Sequence, residues 1–113
     1  MTTSPLPLDL HEDMQVWSYR VSHRTLLFRS FWKQGRDTAT EVEFVSVLAM
    51  KTRSGYQDLE IREADSDPEI EALVDVPGPA SARYLRLHLL SGGVPAGFVV
   101  CGDVRVRQVP VDE

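Results

Sequence analysis

Residues 17–32 read WSYRVSHRTLLFRSFW, with two tryptophans, a histidine and three arginines in sixteen positions and no acidic residue. The stretch decides the fold because it can be taken either as two paired strands or as a basic, aromatic binding surface. A reversal at His23 and Arg24 sets Val21 against Leu26, Tyr19 against Phe28 and Trp17 against Ser30. These six share one side, since directly opposed residues of a ribbon lie on the same face. The other face then carries Ser18 with Arg29, Arg20 with Leu27 and Ser22 with Thr25. One face is aromatic and aliphatic and the other mainly polar, as a half-buried antiparallel hairpin requires. The expectation is therefore that Trp17, Tyr19 and Phe28 fill the interior. His-Arg is a poor pair for a two-residue turn, so a four-residue loop is an equal alternative. Trp32, at the strand end, is the ring left exposed as a contact residue.

Outward from this ribbon the period of two persists. EVEFVSVLAMK (residues 41–51) becomes apolar on both faces toward its end, which predicts one central strand covered on both sides. YQDLEIRE (residues 56–63) places Leu59 and Ile61 inward, with Asp58, Glu60 and Arg62 outward. RYLRLHLL (residues 83–90) and FVVCGDVRVRQV (residues 98–109) form a hairpin in which Leu89 pairs with Phe98, Leu87 with Val100 and Leu85 with Gly102. SGGVPAG (residues 91–97) is its loop, and Gly102 marks a bulge or a close backbone approach. Residues 67–75 fit a short helix, with Ser66 and Glu69 as a capping box, Pro68 in the first turn and Ile70, Leu73 and Val74 on one face. A strand over the same residues stays open, and PGPAS (residues 77–81) predicts an extended exit. The sum is a mostly β fold, an antiparallel β-sandwich or partly open barrel of six to seven strands with one short helix near 67–75. Residues 1–13 read as a flexible arm, 14–109 as a single β-rich domain and 110–113 as a tail.

At 113 residues the chain has room for one core. Apolar residues are 42% and charged residues 26%, so the bulk of the chain is expected to fold. A net charge of −5 disfavours nucleic acid and anionic membranes as partners. Charge is unevenly spread: residues 14–36 hold five bases and no acid, and residues 58–75 hold eight acids and one arginine. These runs are expected on strands that face and compensate each other. One cysteine cannot form an internal disulfide, and with no leader pattern and no membrane-length apolar run the expected location is cytoplasmic.

In the register above, Arg86 lies opposite Cys101, His88 diagonal to it and Tyr84 opposite Asp103. A histidine and an arginine beside a thiol would lower its pKa and make a nucleophile. A cysteine in FVVCG more often fills a packed face as a small apolar residue, and no residue is assigned a catalytic role. Tyr84, Arg86, His88 and Cys101 instead line the pocket of an alternative reading, a small-ligand-binding protein or enzyme. Histidines 11, 23 and 88 lack metal-ligand spacing, and SGGVPAG lacks the Lys-Ser/Thr and helix of a phosphate loop, so no metal and no cofactor are expected.

WSYRVSHRTLLFRS, EVEFVSVLAM, LEIREA and GFVVCGDVRV together resemble a group of small bacterial proteins, actinobacterial ones among them, across residues 14 to 107. That group has no assigned activity, so the resemblance implies a compact bacterial domain and no site residues. ARYLRLHLL is also similar to a closing strand of discoidin-type carbohydrate-binding domains. The leading functional expectation is a small, non-catalytic intracellular binding protein with a protein partner or a second copy, the latter through the edge at residues 105–109 or the ribbon near Arg24 and Arg29. An immunity-type protein that neutralises a toxin is a further alternative.

Overall fold

The computed structural model describes residues 8–31, 35–64, 67–74 and 78–111. Wherever apolar side chains alternate, the backbone is extended: β1 (Leu8–Asp9), β2 (Met14–Arg20), β3 (Thr25–Ser30), β4 (Thr38–Val45), β5 (Ala49–Lys51), β6 (Gly55–Tyr56) and β7 (Leu59–Glu63). Two short helices, α1 (Pro68–Leu73) and α2 (Gly78–Ser81), precede β8 (Leu85–Ser91), β9 (Val94–Cys101) and β10 (Asp103–Pro110). The strands pair antiparallel in two sheets, sheet I in the order β1-β7-β8-β9-β5 and sheet II in the order β10-β4-β3-β2-β6. This is the expected antiparallel sandwich. The seven strands of five or more residues correspond to the expected number, and β1, β5 and β6 are short additions.

The inner faces meet in one core of Met14, Leu26, Phe28, Val42 and Phe44 from sheet II with Leu59, Ile61, Leu87, Leu89, Val99 and Cys101 from sheet I. Phe28 packs edge-on to Phe44 at 5.2 Å and stacks on Tyr56 at 5.5 Å. Burial raises the Tyr56 pKa, and its hydroxyl donates to the carbonyl of Ala96 while accepting from the amide of Arg53. Among the described residues no buried side-chain polar atom lacks a partner.

Three segments that read as single strands each serve both sheets; residues 56–63 do so between Tyr56, which ends β6 in sheet II, and Leu59, which begins β7 in sheet I. Residues 41–51 break at Ser46, with φ at 57°, so β4 lies in sheet II and β5 in sheet I. Residues 98–109 break at Gly102, whose amide donates to the carbonyls of Val45 and Ser46. Residues 41–51 and 98–109 thus change sheets at one corner, a common way to close a sandwich. Gly102 is a close approach, as expected, because a Cβ there would lie 3.3 Å from that of Ser46.

The first ribbon departs from its expected register. The reversal takes four residues, 21–24, and a bulge falls between Val16 and Ser18. Leu26 therefore opposes Tyr19, and Phe28 opposes Val16. Trp17 occupies the bulge and is 52% exposed, and Tyr19 and Val21 are exposed as well. Of the three rings expected inside, only Phe28 is buried. The four-residue turn and the bulge together bring Val16, not Tyr19, opposite Phe28, and Val16 packs against the core.

The β8–β9 hairpin is also displaced. Gly92 and Gly93, with φ of 58° and 80°, make a two-residue turn, so Ser91 opposes Val94 and the expected seven-residue loop is mostly strand. A bulge between His88 and Leu90 then brings His88 opposite Phe98 and Leu85 opposite Cys101.

Helix α1 starts at the expected place, but its N-cap is Asp67, whose carboxylate accepts from the Glu69 amide. Ser66 lies outside the described residues. Ile70 from α1 is buried with Phe98 and Val100 on the outer face of sheet I, a second small core. The expected extended exit is instead one helical turn, α2, with Pro79 near its start. The expected arm at 1–13 is tied in from Leu8 onward: β1 pairs with β7, the Leu10 amide donates to the Leu59 carbonyl, and Glu12 bonds Arg36 and the hydroxyl of Thr40.

Candidate functional site

Cys101 and the cluster expected around it lie on opposite sides of sheet I. Because Cys101 opposes Leu85, its side chain enters the core, and burial pushes the thiol up to about 12. A thiol that is protonated and out of solvent is no nucleophile, so this part of the sequence reading is corrected. Tyr84, Arg86 and His88 face α1. Arg86 donates from Nε to Glu71 at 3.0 Å and also bonds the carbonyls of Ser81 and Tyr84. His88 Nε2 lies 2.7 Å from Asp67 Oδ2. Tyr84 packs against the small core of Ile70, Phe98 and Val100. These side chains hold α1 on the sheet. Beside them a cavity of about 190 Å³ is lined by Lys51, Asp67, Glu69, His88, Pro95, Gly97 and Phe98. Trp32, the remaining expected contact residue, lies outside the described residues.

The outer face of sheet II offers a different arrangement. Antiparallel register aligns Gln15, Arg29, Glu41 and Arg107 in one row across β2, β3, β4 and β10. Glu41 is nearly buried between two guanidinium groups, 3.0 Å from Arg107 Nε and 3.8 Å from Arg29 Nε. The Arg29 guanidinium in turn lies 4.9 Å from the centre of the Trp17 ring. The next row holds Ser18, Leu27, Glu43 and Arg105, with Arg105 3.9 Å from Glu43. A shallow depression of about 320 Å³ opens beside these rows, lined by Ser18, Arg20, His23, Thr25, Leu27, Glu43 and Arg107.

The two charge runs do not compensate each other. Described acids of residues 58–75 pair on the sheet I side, Asp58 with His11, Glu60 with Arg62, Asp67 with His88, Glu69 with Lys51 and Glu71 with Arg86. The bases Arg20 and Arg29 instead sit on the far face of sheet II.

Among the described residues no group of three or more His, Cys, Asp or Glu is placed to hold a metal, and no helix is long and apolar enough to cross a membrane. Sequence reasoning missed Trp17 as a surface residue because a bulge without glycine leaves no composition signal. The poor turn propensity of His-Arg was the available sign that the register shifts. Comparison with protein-family models, curated proteins and solved structures finds no match to this chain.

Proposed function

We propose that the protein is a non-catalytic, cytoplasmic binding protein that holds a protein partner on the outer face of sheet II, around Trp17 and Arg29. The observation that carries this is the Trp17 indole, which a bulge turns out of the core and Arg29 holds against the sheet. Tryptophan, tyrosine and arginine dominate binding energy where proteins meet, because they combine broad apolar area with hydrogen-bonding ends. Here Trp17, Arg20 and Arg29 come from one ribbon. The row Arg29–Glu41–Arg107 fixes the floor beneath them, so little side-chain freedom is lost on binding. The cytoplasmic placement is supported by the lone cysteine, which is buried and free.

The small-ligand reading draws its support from the cavity beside His88. Its weakness is that Arg86, His88 and Asp67 already bond one another's elements.

Co-purification from the native cell tests the proposal. Trp17→Ala is expected to lose the partner that the wild-type chain retains, and His88→Ala to keep it. Retention by Trp17→Ala with loss by His88→Ala moves the function to sheet I.

A further inference from the structure

We infer that the partner surface held on sheet II is acidic, an extended segment whose carboxylates enter the depression at Arg20; this rests on the binding face proposed above. Among the described residues, the carboxylates of the β4 and β10 strands on that face are already engaged by guanidinium groups. Glu41 is held by Arg29 and Arg107, Glu43 by Arg105, and Asp103 by Arg105. Arg20, by contrast, has no carboxylate partner among the described residues, and it opens onto the depression together with His23 and the hydroxyl-bearing Ser18 and Thr25. Arg24, exposed in the adjoining turn, has none either among the described residues.

An isolated guanidinium presents a planar fork that matches a carboxylate in two parallel bonds, and the Ser18 hydroxyl beside it supplies a further donor, that of Thr25 being given to the His23 carbonyl. Leu27 gives the depression an apolar patch, and Trp17 stands on the same strand as Ser18 and Arg20. Extended chain fits this shape because its side chains alternate, so that acids can meet Arg20 while apolar residues between them lie along the sheet. A second copy of this chain fits less well. Its acids Glu60, Glu69 and Glu71 are paired on the sheet I side, and joining that side of one copy to sheet II of the next gives an open, head-to-tail chain.

The test uses the full chain, isotope-labelled for amide NMR, and two synthetic peptides with the same alternating sequence, one with Glu and the other with Gln at the acidic positions. The Glu peptide is expected to shift the amides of Ser18, Arg20, Thr25 and Leu27, and to bind at least about tenfold more tightly than the Gln peptide. Arg20→Ala should weaken it by a similar factor, Arg83→Ala on the opposite layer should not, and added salt should weaken it further. Equal binding of the two peptides at these amides, or full affinity in Arg20→Ala, overturns the acidic assignment and leaves the binding face standing. Shifts confined to another surface overturn both. Amide shifts that follow protein concentration without peptide point to a second copy and also overturn the inference.

Discussion

Gly97 shows how a single residue sets the register of sheet I. Its φ is +137°, and a Cβ there would stand 2.1 Å from the Lys51 carbonyl oxygen and 3.2 Å from the Tyr56 hydroxyl oxygen. Gly97→Ala would therefore strain its own backbone and push β5 away from β9, at an expected cost of about 2–4 kcal/mol. Urea unfolding measures this directly, and an unchanged midpoint would contradict the placement. Trp17 and Phe28 give the complementary comparison. Phe28→Ala should cost about 3–5 kcal/mol through the cavity it leaves between Phe44 and Tyr56, whereas Trp17→Ala should stay within about 1 kcal/mol. Equal losses from the two would mean that the indole is a core residue after all. Cys101 supplies a third check. With its thiol raised from 9.0 to about 12, the folded state disfavours the thiolate. Stability linked to this group is complete below the unfolded value and declines as pH climbs through about 12. Thiol reagents at mildly alkaline pH should thus react only as fast as the protein opens; rapid labelling of the native chain would put the sulfur at the surface.

At the scale of elements, α1 depends on groups far from it in sequence. Asp67 caps the helix and meets His88, and that hydrogen bond is the main reason its carboxyl titrates below the ordinary value of 3.8. A carboxylate favoured in the folded state contributes stability above the unfolded pKa, and the contribution disappears as pH falls through the depressed value. Asp67→Asn keeps a capping side chain but removes this ionisation, so its stability should fall less steeply on acidification than that of wild type. Parallel acid-unfolding curves for the two proteins would remove the Asp67–His88 pair from the account. The same element shows what sequence could and could not reveal. Pro68 and the spacing of Ile70, Leu73 and Val74 made the helix legible, while its cap was misplaced by one residue because Ser66 and Asp67 are both good caps. Alternation located the strands and the sandwich. It could not locate the two bulges, and each shifted a face: one expelled Trp17, and the other placed Cys101 inside while leaving His88 outside. The switches between sheets at Ser46 and Gly102 were hidden for a related reason, since a strand covered on both sides and a strand that changes layers produce the same apolar run.

For the whole molecule, the decisive feature is the separation of charge between layers. A chain of net charge −5 pairs the described acids Asp58, Glu60, Asp67, Glu69 and Glu71 on the sheet I side and leaves Arg20 and Arg24 without carboxylate partners on the sheet II side among the described residues. Such a dipolar surface orients an approaching acidic partner, an effect that salt screens. It also bears on self-pairing through β10, the eight-residue edge of sheet II. Antiparallel pairing of two β10 edges about Arg105, Val106 or Arg107, with faces matched, sets arginine against arginine across the twofold axis. Sedimentation should therefore return the mass of a single chain, 12.7 kDa, at micromolar concentration; a stable dimer would show that another surface joins two copies. The central claim, that the working surface is the outer face of sheet II, is tested most directly by hydrogen exchange on the chain with and without its co-purified partner. The account predicts slowed exchange in β2, β3 and the turn between them, with α1 and β8 unchanged. Protection confined to α1 and β8 would contradict it.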